Sequence, residues 1–339
     1  VLHAYEVTKQ HQNVIDFEDM IIMATSFVEE KQFDSRYKCI LVDEFQDISV
    51  ARARLVKALH QSDSKNLLTV VGDDWQSIYR FAGSDISLFH KFGEYFGDYE
   101  SVTLDYTFRF NDKISLVSQQ FIEQNPNQIK KSISTIKRAK DEKVHVWIGD
   151  NKNLLQIESL LESFTQDNEG QSFSVYILGR TRFAFPLGIN TIKSKFPMAK
   201  ITTSTAHSSK GLEADYVIIT GVESGPFGFP STLADDPLLD IVLAKQEGFE
   251  FAEERRLFYV ALTRAKKEVH ILSSDRSISP FIKELEKVHL VKFHYIDDVK
   301  VQTCPECNTG TLVLRNSKYG GFYGCTNFAK FGCSYKQKM

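Results

Sequence analysis

Short, unbroken apolar runs recur along this chain, and between them apolar residues return at helical spacing. That alternation marks βαβ units, whose parallel strands are covered on both faces. Residues 1–37 read as helical, with Phe17, Met20 and Ile21 at helical spacing and Asp16 placed to cap DFEDMIIMA. The first strand is Cys39–Val42, inside KCILVDEFQD, and its unbroken apolar run predicts burial on both faces. Arg52–His60 then reads as a helix and Asn66–Val71 as a second buried strand. Glycines and charges interrupt the pattern near Gly93–Glu100. Leu104–Ile114 opens a helix that continues to Glu123, and strands at Val144–Ile148 and Ser174–Leu178 flank a helix at Asn153–Phe164. Residues 201–213 carry a strand into a Ser/Gly-rich turn, and Tyr216–Thr220 is another buried strand. The polar insertion 223–250 reads as a surface loop with one short helix. Glu253–Leu272 reads as a helix running into a strand, with Leu257, Val260 and Ala261 as the helix's buried stripe.

Ligands of parallel sheets bind just beyond the carboxyl ends of strands. Asp43 and Glu44 stand there, where one carboxylate can hold Mg²⁺ of a nucleotide while its neighbour polarises water; they also suit a plain cap on the next helix. The second strand exits through GDDWQSIYRFAGSD, which puts the Gln76 amide within reach of a terminal phosphate. Tyr79, Arg80 and Phe81 offer two π-faces and a cation for stacking on bases, or else pack a core. Arg109 beside Phe108 pairs a phosphate grip with a stacking ring, or forms an ordinary surface contact. His207, Lys210 and Glu213 project from the Ser/Gly turn. Arg264 ends its helix, either as an arginine finger or as a cation satisfying the helix dipole. Residues 128–140 hold five basic residues and no acid, a phosphate-facing patch or a solvated face.

Composition narrows the picture only a little. The chain has 339 residues, room for two or three domains, and 41 basic against 44 acidic side chains, so any nucleic-acid surface is local. No apolar run approaches the ~18 residues of a membrane span, and no signal peptide opens the chain. Four of the five cysteines, Cys304, Cys307, Cys325 and Cys333, fall at the C-terminal end in two pairs, which fits tetrahedral zinc and a cytosolic setting. Around them stand Arg315, Lys318, Lys330, Lys336 and Lys338 with Tyr319, Phe322, Tyr323, Phe328, Phe331 and Tyr335. That mixture suits single-stranded nucleic acid, and a zinc-held protein-binding module is the other reading.

In order, VDEFQD, GDDWQSIYRFAG, the YTFR of LDYTFRF, TAHSSKGLE and EERRLFYVALTRA resemble successive motifs of the UvrD/Rep-like superfamily 1A DNA helicases. The resemblance covers roughly residues 14–273. The cysteine module resembles the four-cysteine zinc finger of bacterial type I topoisomerases. What this implies is an α/β protein with two RecA-like P-loop NTPase-type domains, the first incomplete, and a zinc ribbon-like end. Residues 1–98 and 99–280 would be the two domains, 281–300 a linker and 301–339 the finger. By the same resemblance Asp43 would bind Mg²⁺, Glu44 would activate water and Gln76 would contact the γ-phosphate of ATP. Arg109 and Arg264 would neutralise the transition state, Phe108 would stack on adenine, and Gly211 and Glu213 would lie at the nucleotide. Tyr79, Arg80, Phe81, His207 and Lys210 would contact single-stranded DNA or a 3′ single-stranded tail. The family translocates 3′→5′, which implies a cytoplasmic, nucleoid-associated role beside repair, replication or recombination proteins.

Three departures stand out. No GxxxxGK[ST] occurs, so the phosphate loop and the adenine-recognising glutamine are expected N-terminal of Val1, and these residues alone are expected to be inactive on ATP. Only about 95 residues separate Arg109 from Thr205, too few for a large inserted subdomain. Ala82 stands where a polar or basic residue often follows the stacking aromatic. A second function class is a helicase-derived module that holds single-stranded DNA or RNA polymerase without unwinding; the retained arginines favour the motor. A helicase–nuclease arm is a third, but nothing after Leu272 offers a nuclease's carboxylate–lysine cluster.

Overall fold

The computed structural model describes residues 2–149, 154–233, 236, 238–239, 243–296, 304–308, 312–317, 320–325, 327–328 and 332–338. They fall in two compact units, Val1–His294 and Tyr295–Met339. In the first, helices α1 (Leu2–Gln12) and α2 (Phe17–Glu29) open the chain. Asp16 caps α2 as expected, in a reciprocal box with Asp19. Phe17 and Met20 are nevertheless exposed, and α2 buries Thr25 and Val28 instead.

Strand β1 (Cys39–Val42), helix α3 (Val50–Gln61) and strand β2 (Leu67–Val70) form a parallel pair. The expectation that both strands are buried on two faces fails: Leu41 is 74% exposed and Leu67 67%. Val42, Leu68 and Val70 pack on a small core of Phe45, Ile48, Ala53, Leu88 and Phe96, while among the described residues nothing covers the opposite face. Two short helices, α4 (Ser87–His90) and α5 (Phe92–Phe96), close that core from below.

The expected helix from Leu104 starts late. Strand β3 (Tyr106–Thr107) comes first, and α6 (Asp112–Ile122) begins only where Asn111 accepts from the N–H groups of Lys113 and Ile114. Strand β4 (Ser134–Thr135) pairs with β3. Then follow β5 (Val144–Gly149), α7 (Leu154–Asp167), β6 (Phe173–Gly179), α8 (Ile189–Lys195), β7 (Ala199–Thr205), β8 (Ala214–Thr220), α9 (Ala252–Leu262), β9 (Ala265–Ser274), α10 (Pro280–Leu285) and β10 (Val291–Tyr295). Asn153, where the α7 helix was expected to start, lies outside the described residues.

Strands β5 to β10 make one six-stranded sheet in the order β10-β5-β9-β8-β6-β7. One face is packed by α6, α9 and α10, through residues such as Phe121, Phe258 and Phe281, and the other by α7 and α8. Helix α9 is buried all round rather than on one stripe: Arg255 and Arg256 are as hidden as Leu257 and Val260. The 281–300 stretch expected as a linker contains most of α10 and the whole of β10. Of the 223–250 insertion, residues 234–235, 237 and 240–242 lie outside the described residues, and Phe229 is fully buried against Phe258.

The C-terminal unit holds an antiparallel sheet of β11 (Leu312–Ser317), β12 (Gly320–Cys325) and β13 (Lys336–Lys338). Lys318, Tyr319, Lys330 and Phe331, expected there as nucleic-acid contacts, lie outside the described residues.

Candidate active site

The end of β1 is bent into an unusual shape. Glu44 adopts a left-handed conformation at φ +50°, uncommon for a residue with a side chain, and the Asp43 carboxylate accepts its backbone N–H at 2.8 Å. Gln46 then spans to the next strand: its Nε2 donates to Glu44 at 2.5 Å, and its Oε1 accepts from the N–H of Asp73 at 2.9 Å. Gly72 makes this possible, since a Cβ there would sit 2.6 Å from Gln46 Oε1 and 2.8 Å from the Phe89 ring.

Beyond β2, Gln76 donates from Nε2 to Asp73 at 2.6 Å and accepts at Oε1 from Arg264 Nη2 at 3.3 Å. Arg264 has no exposed surface. Its other donors go to the carbonyls of Val260 and Leu212, and among the described residues no carboxylate pairs with it. Burial and the neighbouring Arg109 bring its pKa down to about 10, which leaves it charged at neutral pH. Arg109 Nε and Lys266 Nζ converge on the two oxygens of Glu213, at 3.2 and 2.7 Å, and together hold that carboxyl below its usual range. Gln76, Phe108, Arg109, Glu213 and Lys266 line one cleft of about 770 Å³. Asp43 and Glu44 do not line it. Glu44 is tied to it through Lys210, whose buried ammonium lies 3.4 Å from Glu44, 2.5 Å from Asp47 and 2.9 Å from the Gln76 carbonyl. Gly211 follows with φ +79° and turns the chain back toward Glu213.

Next to this joint lies an aromatic cluster. Tyr79, Phe81 and His207 sit with ring centres 5.5 to 6.3 Å apart, and Phe81 is 63% exposed. Burial and Arg180 bring His207 down to about 4, so it is neutral at pH 7. Two residues expected to face DNA turn inward instead. Lys210 is consumed by Asp47, Glu44 and the Tyr79 ring, 5.3 Å away. The Arg80 guanidinium donates to the Ala244 carbonyl at 2.8 Å and lies 3.8 Å from Glu253. The basic stretch 128–140 is only partly a solvated face: Lys131 pairs with Asp73 and Asp74, and Lys137 donates to the Arg109 carbonyl. Asp47, Asp73 and Lys266 are partners that sequence reading missed; each stands one to three residues from a singled-out residue, in DEFQD, GDDWQ and TRAK, the only signal available.

Residues 1–97 match the family described as UvrD/REP helicase N-terminal domain, and residues 127–276 match the UvrD-like helicase C-terminal domain. UvrD-like N- and C-terminal helicase domains thus make up most of this chain. It is similar to DNA helicase IV of Escherichia coli, 39% identical over 85% of this chain and 41% of that protein. It is also similar to a probable DNA helicase of Mycoplasma pneumoniae, 28% identical over 85% of this chain and 56% of the relative. The Rep helicase of E. coli matches at 30% over 39% of the chain. This UvrD-like chain thus spans about half the length of the two relatives that cover most of it, or less.

Residues 301–338 match the topoisomerase DNA-binding four-cysteine zinc finger. Cys304 and Cys333 sulfurs lie 3.7 Å apart and those of Cys307 and Cys325 3.6 Å, all four within 4.8 Å of one another. Tetrahedral zinc with ~2.3 Å bonds needs sulfurs about 3.8 Å apart, so these thiols fit that ion. No described helix is long and apolar enough to cross a membrane.

Proposed function

We propose that this chain is part of an ATP-dependent, 3′→5′ DNA helicase or single-strand translocase. The observation that carries the reading is Arg264, a fully buried guanidinium with no carboxylate partner among the described residues, directed at Gln76 beside a cleft lined by Arg109. Burying a charge without a counter-ion is costly, and a polyphosphate supplies that counter-ion when it binds.

In this reading Asp43 holds Mg²⁺, which would offset phosphate charge. Glu44 takes the proton of the attacking water, and Gln76 contacts the γ-phosphate. Arg109 leaves Glu213 and joins Arg264 on the charge that develops in transfer. Phe108 stacks on adenine, and Gly211 and Glu213 lie along the nucleotide. Tyr79, Phe81 and His207 stack on successive bases, and the four cysteines hold structural zinc. The first domain spans 1–98; the second begins at 99 and runs past 280 to the end of β10, since that strand belongs to its sheet. The partners are DNA with a 3′ single-stranded tail and proteins of repair, replication or recombination, in the cytoplasm.

The test joins this chain to an upstream phosphate-loop segment, such as that of E. coli DNA helicase IV, and measures ATP turnover with single-stranded DNA. Turnover should appear and fall about a thousandfold in Arg264→Met, as for loss of an arginine finger. Equal turnover in the variant would remove Arg264 from the mechanism.

A further inference from the structure

Away from the cleft, three histidines and a glutamate meet on one face of the six-stranded sheet. The register of β5 and β9 pairs His145 with His270, and Glu268 stands two residues before His270 on the same face. β10, the neighbour of β5 at the sheet edge, brings His294. We propose that His145, His270 and Glu268 form a site for a divalent transition-metal ion of the zinc class, with His294 as a positioning residue.

One ligand atom from each of His145, Glu268 and His270 lies within 4.8 Å of the others. Zinc with bonds of ~2.0–2.1 Å needs its ligands about 3.3 Å apart, so imidazole rotation must close the set by about 1.5 Å. Lys143 fixes the Glu268 carboxylate from the other side, its ammonium 2.8 Å from Oε1.

The surroundings orient the ligands. His145 Nδ1 lies 3.1 Å from His294 Nε2; with the proton on Nδ1, His145 donates to His294 and presents its Nε2 lone pair. His294 is itself held by stacking on Trp147, with ring centres 4.0 Å apart and planes 10° off parallel. The Trp147 indole donates to His270 Nδ1 at 3.2 Å, which puts the His270 proton on Nε2, facing Glu268 at 3.2 Å. An ion at Nε2 moves that proton to Nδ1 and ends the indole contact. Trp147, one of two tryptophans in the chain, therefore reports binding.

The experiment equilibrates the 339-residue chain with low-micromolar free zinc and measures zinc per chain alongside tryptophan emission. Wild type should hold two zinc ions, one of them on the four cysteines. His145→Ala and His270→Ala should each hold one and lose the emission change of the second equivalent. Glu268→Gln, which keeps the packing, should bind the second ion at least 10-fold more weakly, and His294→Gln about 10-fold more weakly. One zinc per wild-type chain, or a second zinc that persists in both histidine variants, overturns the site and leaves a hydrogen-bonded ladder of neutral rings.

Discussion

Among the described residues Arg264 donates only to neutral oxygens, those of Val260, Leu212, Thr263 and Gln76, from a position with no exposed surface. Such a group is held against its own solvation preference, and the fold carries the cost. Arg264→Met, similar in length and apolar, should leave the melting temperature equal or higher in a thermal scan while turnover in the joined protein collapses. A drop of several degrees instead would mean the guanidinium is chiefly structural. His207 gives a pH dependence. Its folded value of about 4 lies below the ~6.5 of an unfolded chain, so between those values the unfolded state binds more protons. That contribution is fully present above pH 6.5 and is lost as pH falls toward 4. His207→Asn should therefore soften the decline of the urea midpoint between pH 6.5 and 4.5, with little change at pH 7.5. Identical slopes for the two proteins would reject the assignment.

Elements were legible to different degrees for physical reasons. Strands β5, β6 and β8 and helix α7 announced themselves because burial on a sheet core leaves unbroken apolar runs or a clear helical stripe. β1 and β2 carried the same signal, yet Leu41 and Leu67 face solvent: an apolar run reports what a strand is suited to bury, not what covers it in a given chain. The Leu104–Phe110 stretch misled because Asn111, an N-cap, was passed over as helix interior. β10 hid inside a supposed linker since VKFHY mixes polar and apolar residues at a sheet edge. The motif residues were readable one at a time, but their wiring was not. Nothing in spacing said that Lys210 turns away from solvent, or that Gln46 joins two strand ends. The latter predicts that Gly72→Ala, by pushing Gln46 and Phe89 apart, lowers the urea midpoint well beyond an ordinary surface Gly→Ala change. An unchanged midpoint would show the β1–β2 end to be loosely packed.

At the scale of the molecule, two units with different means of support share one chain. The larger rests on two apolar layers about its sheet; in the smaller, the buried core among the described residues is Cys304, Cys325 and Cys333, with Cys307, Leu312 and Tyr335 packed against them. A unit so small gains most of its stability from an ion. Cys325→Ser should therefore lose zinc and the β-structure of residues 304–338 while the melting transition of the larger unit stays in place. Zinc content and amide exchange resolve the two. If single-strand affinity falls with it, the finger is a DNA contact; if affinity holds, it serves as a scaffold.

The ammonium of Lys210 lies over the Tyr79 ring and reaches Glu44 and Asp47 at the same time. The 2.5 Å contact to Asp47 is short-ranged as a hydrogen bond, while the attraction to Glu44 at 3.4 Å fades only slowly with distance. In the proposed reading, a nucleobase that pushes the phenol aside shifts the amine as well, and both carboxylates feel the move. One buried cation would then link the base-stacking rings to the phosphate end.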